Sequence, residues 1–138
     1  MRKILLAMAM VAATLLAGTV EAGGRPIPMI EIIDAPVAWP NGKPGDLSVV
    51  QAAIVHACAD KGWSCSLAAP GLFHAVLFKP DWKAELDIPF SVASYSIKYS
   101  ASEHLDYDAT KHVIHRNFNR WLVLLRERID MHTISAGS

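Results

Sequence analysis

Six histidines are the side chains of this sequence best suited to acid–base or metal chemistry. His112 and His115 are three residues apart, which places both on one face of a helix, and His104 precedes them in a polar loop. Together they could form a zinc or copper site. No carboxylate or cysteine stands at a standard ligand interval beside them, so solvated or partly buried imidazoles are the alternative.

Motifs for other kinds of catalysis are missing from the sequence. There is no serine on a G-x-S-x-G turn and no glycine-rich phosphate loop. Asp106 and Asp108 fit turn and capping roles better than an acid–base pair. We therefore expect binding rather than catalysis, with no cofactor. An enzyme stays open as an alternative, because active sites need not carry a local motif.

The two cysteines are placed to form a disulfide. Cys58 lies on the apolar stripe of the first predicted helix, and Cys65 lies on the buried face of the next predicted strand. Both side chains therefore point into one core across a turn at Gly62. An even number of cysteines and an exported location favour the bond. Two buried free thiols are the alternative.

Residues 1–22 have the composition of a secretory signal peptide. A basic start precedes an apolar run that is shorter than the ~20 residues of a membrane-spanning helix. Val20 and Ala22 fit the cleavage site, and Thr19 stands where a lipoprotein has its lipidated cysteine. We expect cleavage near Ala22, no lipid, no transmembrane anchor in the mature chain, and a periplasmic or secreted protein. An N-terminal membrane anchor is the alternative.

The charge balance argues against nucleic acid as a partner. The chain has 13 basic and 13 acidic side chains, and removing residues 1–22 leaves the remainder close to neutral. Nucleic-acid binding depends on an excess of basic residues that neutralise phosphates. The sequence shows no repeat and no second domain, so residues 23–138 are predicted to form a single domain.

Hydrophobic periodicity predicts an α+β domain. Ser48 and Gln51 match a capping box, so the first helix is predicted to run from Ser48 to Lys61. The second helix is predicted from about Thr110 to His132, with Asp108 or Thr110 as its cap. Strands are predicted where apolar and polar residues alternate, near 29–37, 63–67, 72–78, 83–90 and 94–100. Together these elements predict an antiparallel sheet of about four to five strands with two helices packed on one face.

Motifs spread along the chain carry a family resemblance. They are GW at 62–63, PG at 70–71, YSIKYSAS at 95–102 and IHRNFNRW at 114–121. Behind a signal peptide, this set resembles a family of small secreted proteins and lipoproteins of Gram-negative bacteria that has no assigned activity. The resemblance implies an envelope location and a single α+β domain, and it carries over no catalytic residue. Thr19 departs from the lipoprotein members.

The polar residues inside IHRNFNRW predict a structural lock. On a helical wheel, Asn117 falls within the apolar arc, His115 lies at its edge, and Asn119 lies on the solvated side. A buried amide without partners costs roughly 1–3 kcal/mol. We therefore predict that Asn117, helped by His115, bonds to the preceding loop or to the hydroxyls of Tyr95 or Tyr99.

The polar sheet face is the predicted binding surface. Alternation leaves five polar side chains on it: Glu85, Asp87, Ser94, Ser96 and Lys98. The leading hypothesis is a non-catalytic envelope module that binds another envelope protein or a peptidoglycan- or lipid-associated partner. The alternatives are a metal or small-ligand binder that uses the three histidines above, and an enzyme without a local motif.

Overall fold

The computed structural model describes residues 24–136, so the predicted signal peptide and its cleavage site lie outside the described residues. The elements in chain order are β1 (Ile27–Pro28), β2 (Ile32–Pro36), a 3₁₀ turn (Pro40–Gly42), α1 (Leu47–Lys61), β3 (Ser64–Ala69), β4 (Leu72–Lys79), β5 (Trp82–Pro89), β6 (Ser94–Glu103), β7 (Val113–Ile114) and α2 (Arg116–Ala136). Across these residues, no helix combines the length and the apolar character needed to span a membrane.

The predicted α+β architecture is confirmed. Five antiparallel strands form one sheet in the order β2-β6-β5-β4-β3, and β1 pairs with β7 in a second sheet of two strands. Tight turns at Pro70-Gly71 and Pro80-Asp81 join β3 to β4 and β4 to β5. Such short connections make consecutive strands neighbours, which accounts for the antiparallel order. The two helices pack on this sheet.

Strict alternation along β5 separates the two sheet faces. Ala84, Leu86 and Ile88 are fully buried, while Lys83, Glu85 and Asp87 point to the other face. The buried face meets an apolar stripe of α2, formed by Phe118, Leu122, Leu125 and Ile129, all at 0% exposure. Each large apolar side chain buried in this way contributes roughly 1.5–3 kcal/mol to the free energy of folding.

The predicted bounds of α1 agree with the structure to within one residue, but the predicted capping box does not form. The helix begins at Leu47 after Asp46, so Ser48 lies inside the first turn and no side chain caps the helix. At the other end, Gly62 has a left-handed φ of 83°. This conformation is accessible to glycine, and it lets the Trp63 N–H donate to the Cys58 carbonyl at 2.9 Å.

The predicted start of α2 was wrong by six residues, because the helix begins at Arg116 rather than Thr110. The Asp108 carboxylate instead accepts the backbone N–H groups of Thr110 and Lys111 and closes a turn. Val113 and Ile114 then form β7. Ile114 is fully buried, and its spacing from the apolar residues that follow matches a helical period. It therefore looked like part of the helix, although it belongs to a strand.

The predicted disulfide between Cys58 and Cys65 is present. It joins the last turn of α1 to β3, with the two Cα atoms 6.2 Å apart. Cys58 is 1% exposed and belongs to the core. The bond therefore fixes the end of α1 against the edge of the sheet, on either side of the left-handed Gly62.

The double variant Cys58→Ala/Cys65→Ala should be about 2.5 kcal/mol less stable, because the bond closes a short loop in the unfolded chain. Urea unfolding with and without reductant measures this. Reductant should lower the stability of the wild-type protein by a similar amount and leave the double variant unchanged. A wild-type protein that reductant does not destabilise would contradict the bond.

Candidate functional site

A difference in helix length opens a gap beside α2. The helices are antiparallel: Val49 near the start of α1 lies beside Ala136, and Asp60 near its end contacts His132 and Arg128. α1 has 15 residues and α2 has 21, a difference of about 9 Å at 1.5 Å per residue. The first turns of α2 therefore extend past the end of α1, and part of the sheet end below them has no helix beside it.

The gap is a cavity of about 470 Å³, which we call the tryptophan groove. Its volume lies within the range of small-ligand pockets. Three separate segments supply its aromatic side chains, Trp63, Trp82 and Trp121. The other lining residues are Asp60 and Lys61 of α1, Leu77 and Lys79 of β4, and Asn117, Arg120 and Leu124 of α2.

The aromatic rings of the groove support one another. The Trp82 ring meets the Trp121 ring edge to face at 6.0 Å and the His115 ring at 5.2 Å. Such ring pairs contribute about 0.5–1.5 kcal/mol beyond the area they bury. Trp63 is only 5% exposed, and no acceptor among residues 24–136 bonds its indole N–H or those of the other two. The groove thus offers apolar rings that contact one another, and its indole N–H groups have no acceptor in the described part of the chain.

The rim of the groove carries an excess of positive charge. Lys61, Lys79 and Arg120 form no ion pair with an acidic side chain in the described part of the chain. The acidic residue of the lining, Asp60, is bonded to His132 at 2.7 Å and lies 3.9 Å from Arg128. The hydrogen bond from His132 lowers the pKa of Asp60. The unpaired cations favour an anion over a cation in this groove.

His115 holds the wall of the groove in place. Its backbone N–H donates to the Leu105 carbonyl at 2.8 Å, which ties α2 to the preceding loop. Its ring Nδ1 accepts the Asn117 N–H at 3.1 Å and caps the first turn of α2. The prediction had His115 help the Asn117 side chain hold the loop and sheet; in the structure the backbone N–H of His115 contacts the loop, and its Nδ1 bonds only to the Asn117 backbone.

The predicted partners of Asn117 are engaged elsewhere. The Tyr95 hydroxyl donates to Asp130 at 2.8 Å, and the Tyr99 hydroxyl bonds to Ser102 at 2.8 Å. The Asn117 side chain lines the groove and makes no hydrogen bond within residues 24–136. A helical wheel shows the direction of a side chain but not where a neighbouring helix ends, and here α1 stops before it reaches Asn117.

Asn119, rather than Asn117, bonds α2 to a neighbouring segment, and the partner is the N-terminal segment instead of the predicted loop or tyrosines. Its Nδ2 donates to the Pro28 carbonyl at 2.9 Å, and its Oδ1 accepts the Ile30 N–H at 3.0 Å. The pairing of β1 with β7 brings the N-terminal segment alongside α2 at this point. The prediction placed Asn119 on a solvated face and missed these two bonds, which are themselves exposed to solvent, because no sequence pattern indicated this pairing.

The predicted polar sheet face divides into parts. Glu85 and Asp87 flank His74, whose ring nitrogens lie 2.9 and 3.1 Å from their carboxylate oxygens. Lys98 is exposed opposite Asp87. Two other members of this surface, Ser94 and Ser96, line a shallow cavity with Lys98. Ser96 is only 3% exposed, so its place on an exposed surface was wrong. Its hydroxyl accepts the Asp34 N–H, where the pairing of β2 with β6 is irregular.

The structure does not assemble the three histidines into a metal site. His104 and His112 are exposed, with left-handed φ values of 63° and 57°. His115 uses its Nδ1 to accept the Asn117 N–H. Over residues 24–136, no group of three or more His, Cys, Asp or Glu side chains is arranged to hold a metal ion.

The residues of the groove were not identified from the sequence. Trp121 falls within the second predicted helix and Trp63 within a predicted strand, while Trp82 falls in no predicted element. One signal was available, since three of the four tryptophans of the chain line this cavity. Tryptophan is enriched at binding surfaces, where its ring offers area and its N–H a donor.

No family model, curated protein or solved structure matches this chain. The resemblance to small secreted proteins and lipoproteins of Gram-negative bacteria therefore stays a prediction. The function is inferred below from the geometry of the groove.

Asn119→Ala should lower the stability of the protein by roughly 0.5–1.5 kcal/mol, because it removes two solvent-exposed hydrogen bonds that join α2 to the N-terminal segment. Asn117→Ala should lower it by clearly less, since the Asn117 side chain bonds to no residue between 24 and 136. Chemical denaturation of both variants measures the difference. A larger loss for Asn117→Ala would contradict these contacts.

Stability should depend on pH through His74 and Glu85. Hydrogen bonds to Asp87 and then Glu85 raise the pKa of His74 above its ordinary 6.5, against the opposing effect of burial. The contribution of His74 to stability is thus complete below pH 6.5, and it is lost as the pH rises through the raised pKa of His74. The bond to His74 lowers the pKa of Glu85 below 4.5, so its contribution is lost as the pH falls through that lowered value.

His74→Gln should therefore lower the melting temperature most between pH 4.5 and 6.5, where both contributions are complete. The difference from the wild-type protein should shrink at higher pH. Melting curves of both proteins across this range provide the measurement. A difference that does not change with pH would show that these charges have no role in stability.

Proposed function

We propose that this chain is a non-catalytic binding module of the bacterial envelope and that its ligand occupies the tryptophan groove. One observation carries the proposal. Three tryptophans line a cavity of about 470 Å³ whose rim holds Lys61, Lys79 and Arg120 without acidic partners in the described chain. The sequence suggested a binding module, and the groove is the best candidate for its site.

The chemistry of the lining defines the class of ligand. Tryptophan faces bind planar or ring-shaped groups that expose C–H bonds, and the indole N–H groups donate to oxygen atoms. Unpaired cations around such a floor favour a carboxylate or phosphate, because the groove reduces contact with water and strengthens the attraction. Asn117 adds an amide that can donate and accept. The best ligand is therefore a ring-bearing anion with polar substituents.

Binding fits this lining better than catalysis does. The groove contains cations, one amide and indole rings, while its carboxylate Asp60 is held by His132 and Arg128. The low pKa of Asp60 makes it a poor acceptor for a proton. The lining is therefore suited to holding an anion rather than to moving a proton.

The envelope location rests on two features. The composition of residues 1–22 fits a signal peptide, and the disulfide fits an oxidising compartment. The ligand is then a component of the envelope. The polar sheet face, first predicted as the binding surface, is less suited to this role. Its carboxylates already pair with His74 and Lys83, so a cationic partner would have to break these contacts.

The groove variant Arg120→Gln should reduce retention of the exported protein by isolated envelope fractions about fivefold or more, since it removes one of three cations that face an anion. The fractions are sacculi, membrane vesicles and immobilised periplasmic proteins. Sedimentation or bead capture at low ionic strength measures retention, and tryptophan fluorescence reports whether the groove is occupied. Added salt should weaken the retention.

Arg116→Gln is the matched control, because it removes the same charge from the same helix at an exposed position outside the groove. Its retention should equal that of the wild-type protein. Equal losses in Arg116→Gln and Arg120→Gln would mean that general charge, not the groove, causes retention. A wild-type protein retained by none of the fractions would contradict the proposal.

A further inference from the structure

The two edges of the five-stranded sheet are built differently. β2 forms one edge and β3 forms the other. β2 ends in Pro36, which has no backbone N–H, and its register is irregular where Asp34 adopts a left-handed φ of 50°. Proline, charge and irregular pairing keep an exposed edge from pairing with the strand of another molecule. The β2 edge is therefore protected.

The β3 edge lacks most of this protection. Its sequence, SCSLAA, contains no charged residue and no proline, and five of its six residues are exposed. The residues from Ser64 to Leu67 pair with β4 in regular register, and the irregularity comes only after Leu67. No strand among residues 24–136 pairs with the other side of β3. The N–H and C=O groups on that side are therefore available to a further strand.

The side of α1 next to this edge is apolar and exposed. Cys58 is bonded to Cys65, so this side of α1 faces β3. Val55 lies one turn before Cys58, Leu47 lies within about 20° of Cys58 around the helix, and both are exposed. Leu67 lies two residues past Cys65 on the same face of β3 and is 47% exposed. Because α1 and β3 run in opposite directions, Val55 and Leu67 lie on the same side of the disulfide.

These residues form a surface of two layers, which we call the β3 edge surface. The outer side of Ser64–Leu67 is its sheet layer, and Leu47 and Val55 are its helix layer. A single extended peptide would pair with the strand and leave the apolar helix side chains in water. A partner that presents a strand with a helix on the same sheet face covers both layers. A second copy of this chain is such a partner.

We propose that the β3 edge surface is the interface of a homodimer, in which β3 pairs antiparallel with β3 of a second copy. A two-fold axis perpendicular to the sheet produces this pairing. The rotation keeps the helices of both copies on one face, so the two sheets form one sheet of ten strands, five from each copy. Leu67 lies close to the axis, because there the Leu67 side chains of the two copies shield each other from water.

Charge favours a second copy as the occupant of this surface. A two-fold contact brings side chains near the axis close to their own copies, so a charge there would meet a like charge. The β3 edge surface has no charged side chain, whereas Asp60 and Lys61 of α1 line the tryptophan groove. The chain without residues 1–22 is also close to neutral, so two copies do not repel each other at a distance.

The dimensions of the surface predict a weak dimer. β3 has six residues and α1 has 15, which gives lengths of about 20 Å and about 22 Å. A contact of this length lies at the lower end of specific interfaces, which bury roughly 1,200 Å² in total. We therefore expect a dissociation constant on the order of 10 µM. No residue of the β3 edge surface lines the tryptophan groove, so the dimer presents two open grooves. The inference thus goes beyond the proposed function and does not depend on it.

Sedimentation equilibrium of the exported protein measures the oligomeric state. The wild-type protein should be dimeric at about 100 µM and should dissociate on dilution to about 1 µM. Leu67→Lys should be monomeric at the higher concentration, because it places two like charges beside the axis. Val55→Lys tests the helix layer independently and should weaken the dimer about tenfold or more.

Controls match each variant. Ile33→Lys is the control for Leu67→Lys, because Ile33 is 54% exposed on β2 at the opposite edge of the sheet. Val123→Lys, at an exposed position of α2, is the control for Val55→Lys. Both controls should dimerise like the wild-type protein. Circular dichroism verifies that each variant is folded. A mixture of Leu67→Lys and Leu67→Glu should restore dimers, since the axis brings opposite charges together.

The possible failures have distinct meanings. A wild-type protein that is monomeric at about 100 µM would overturn the dimer. A dimer that is lost in Ile33→Lys and kept in Leu67→Lys would place the interface at β2 and overturn the role of β3. A mixture of Leu67→Lys and Leu67→Glu that stays monomeric would overturn the two-fold arrangement. Retention by envelope fractions tests the groove separately, so either proposal can fail alone.

Discussion

The packing of α2 against one face of the sheet is the contact on which the rest of the structure depends. The stripe from Phe118 to Ile129 buries sheet residues such as Leu86 and Ile97 completely. Burial of this kind supplies most of the free energy of folding. This packing also fixes the position of α2. It therefore determines where the first turns of α2 extend past the end of α1. The groove is in this sense a by-product of the core, because the packing that closes the sheet leaves space at one end.

Polar contacts along α2 set its position more narrowly than apolar packing can. Asn119 bonds to the N-terminal segment, Tyr95 reaches Asp130, and Asp60 of α1 reaches His132. These contacts are spread along the helix, so a shift by one turn would break all three. Burial and the Asp130 carboxylate also raise the pKa of Tyr95, which keeps this phenol protonated as a donor. Apolar packing thus provides stability, and hydrogen bonds provide a single alignment.

The fold could be predicted from local pattern, whereas the site could not. Alternation around Leu86 indicated a strand with one buried face, and Gly62 marked the end of α1 because only local conformation decides such features. The start of α2 was missed because Ile114 is buried in phase with the helix. The groove needs three tryptophans, from residues 63, 82 and 121, to meet where one helix is shorter than another. The relative position of the two helix ends and the contacts of Asn119 depend on tertiary structure. They cannot be predicted from a short stretch of sequence.

The stop of α1 at Gly62 has an evolutionary consequence. One additional helical turn before this glycine would extend α1 by about 5.4 Å toward the first turns of α2. The groove would narrow although every side chain that lines it stayed the same. A short in-frame insertion or deletion in α1 could therefore change the size of ligand that the domain accepts. Related domains could diverge in what they hold through the length of one helix, with their aromatic residues and their core unchanged.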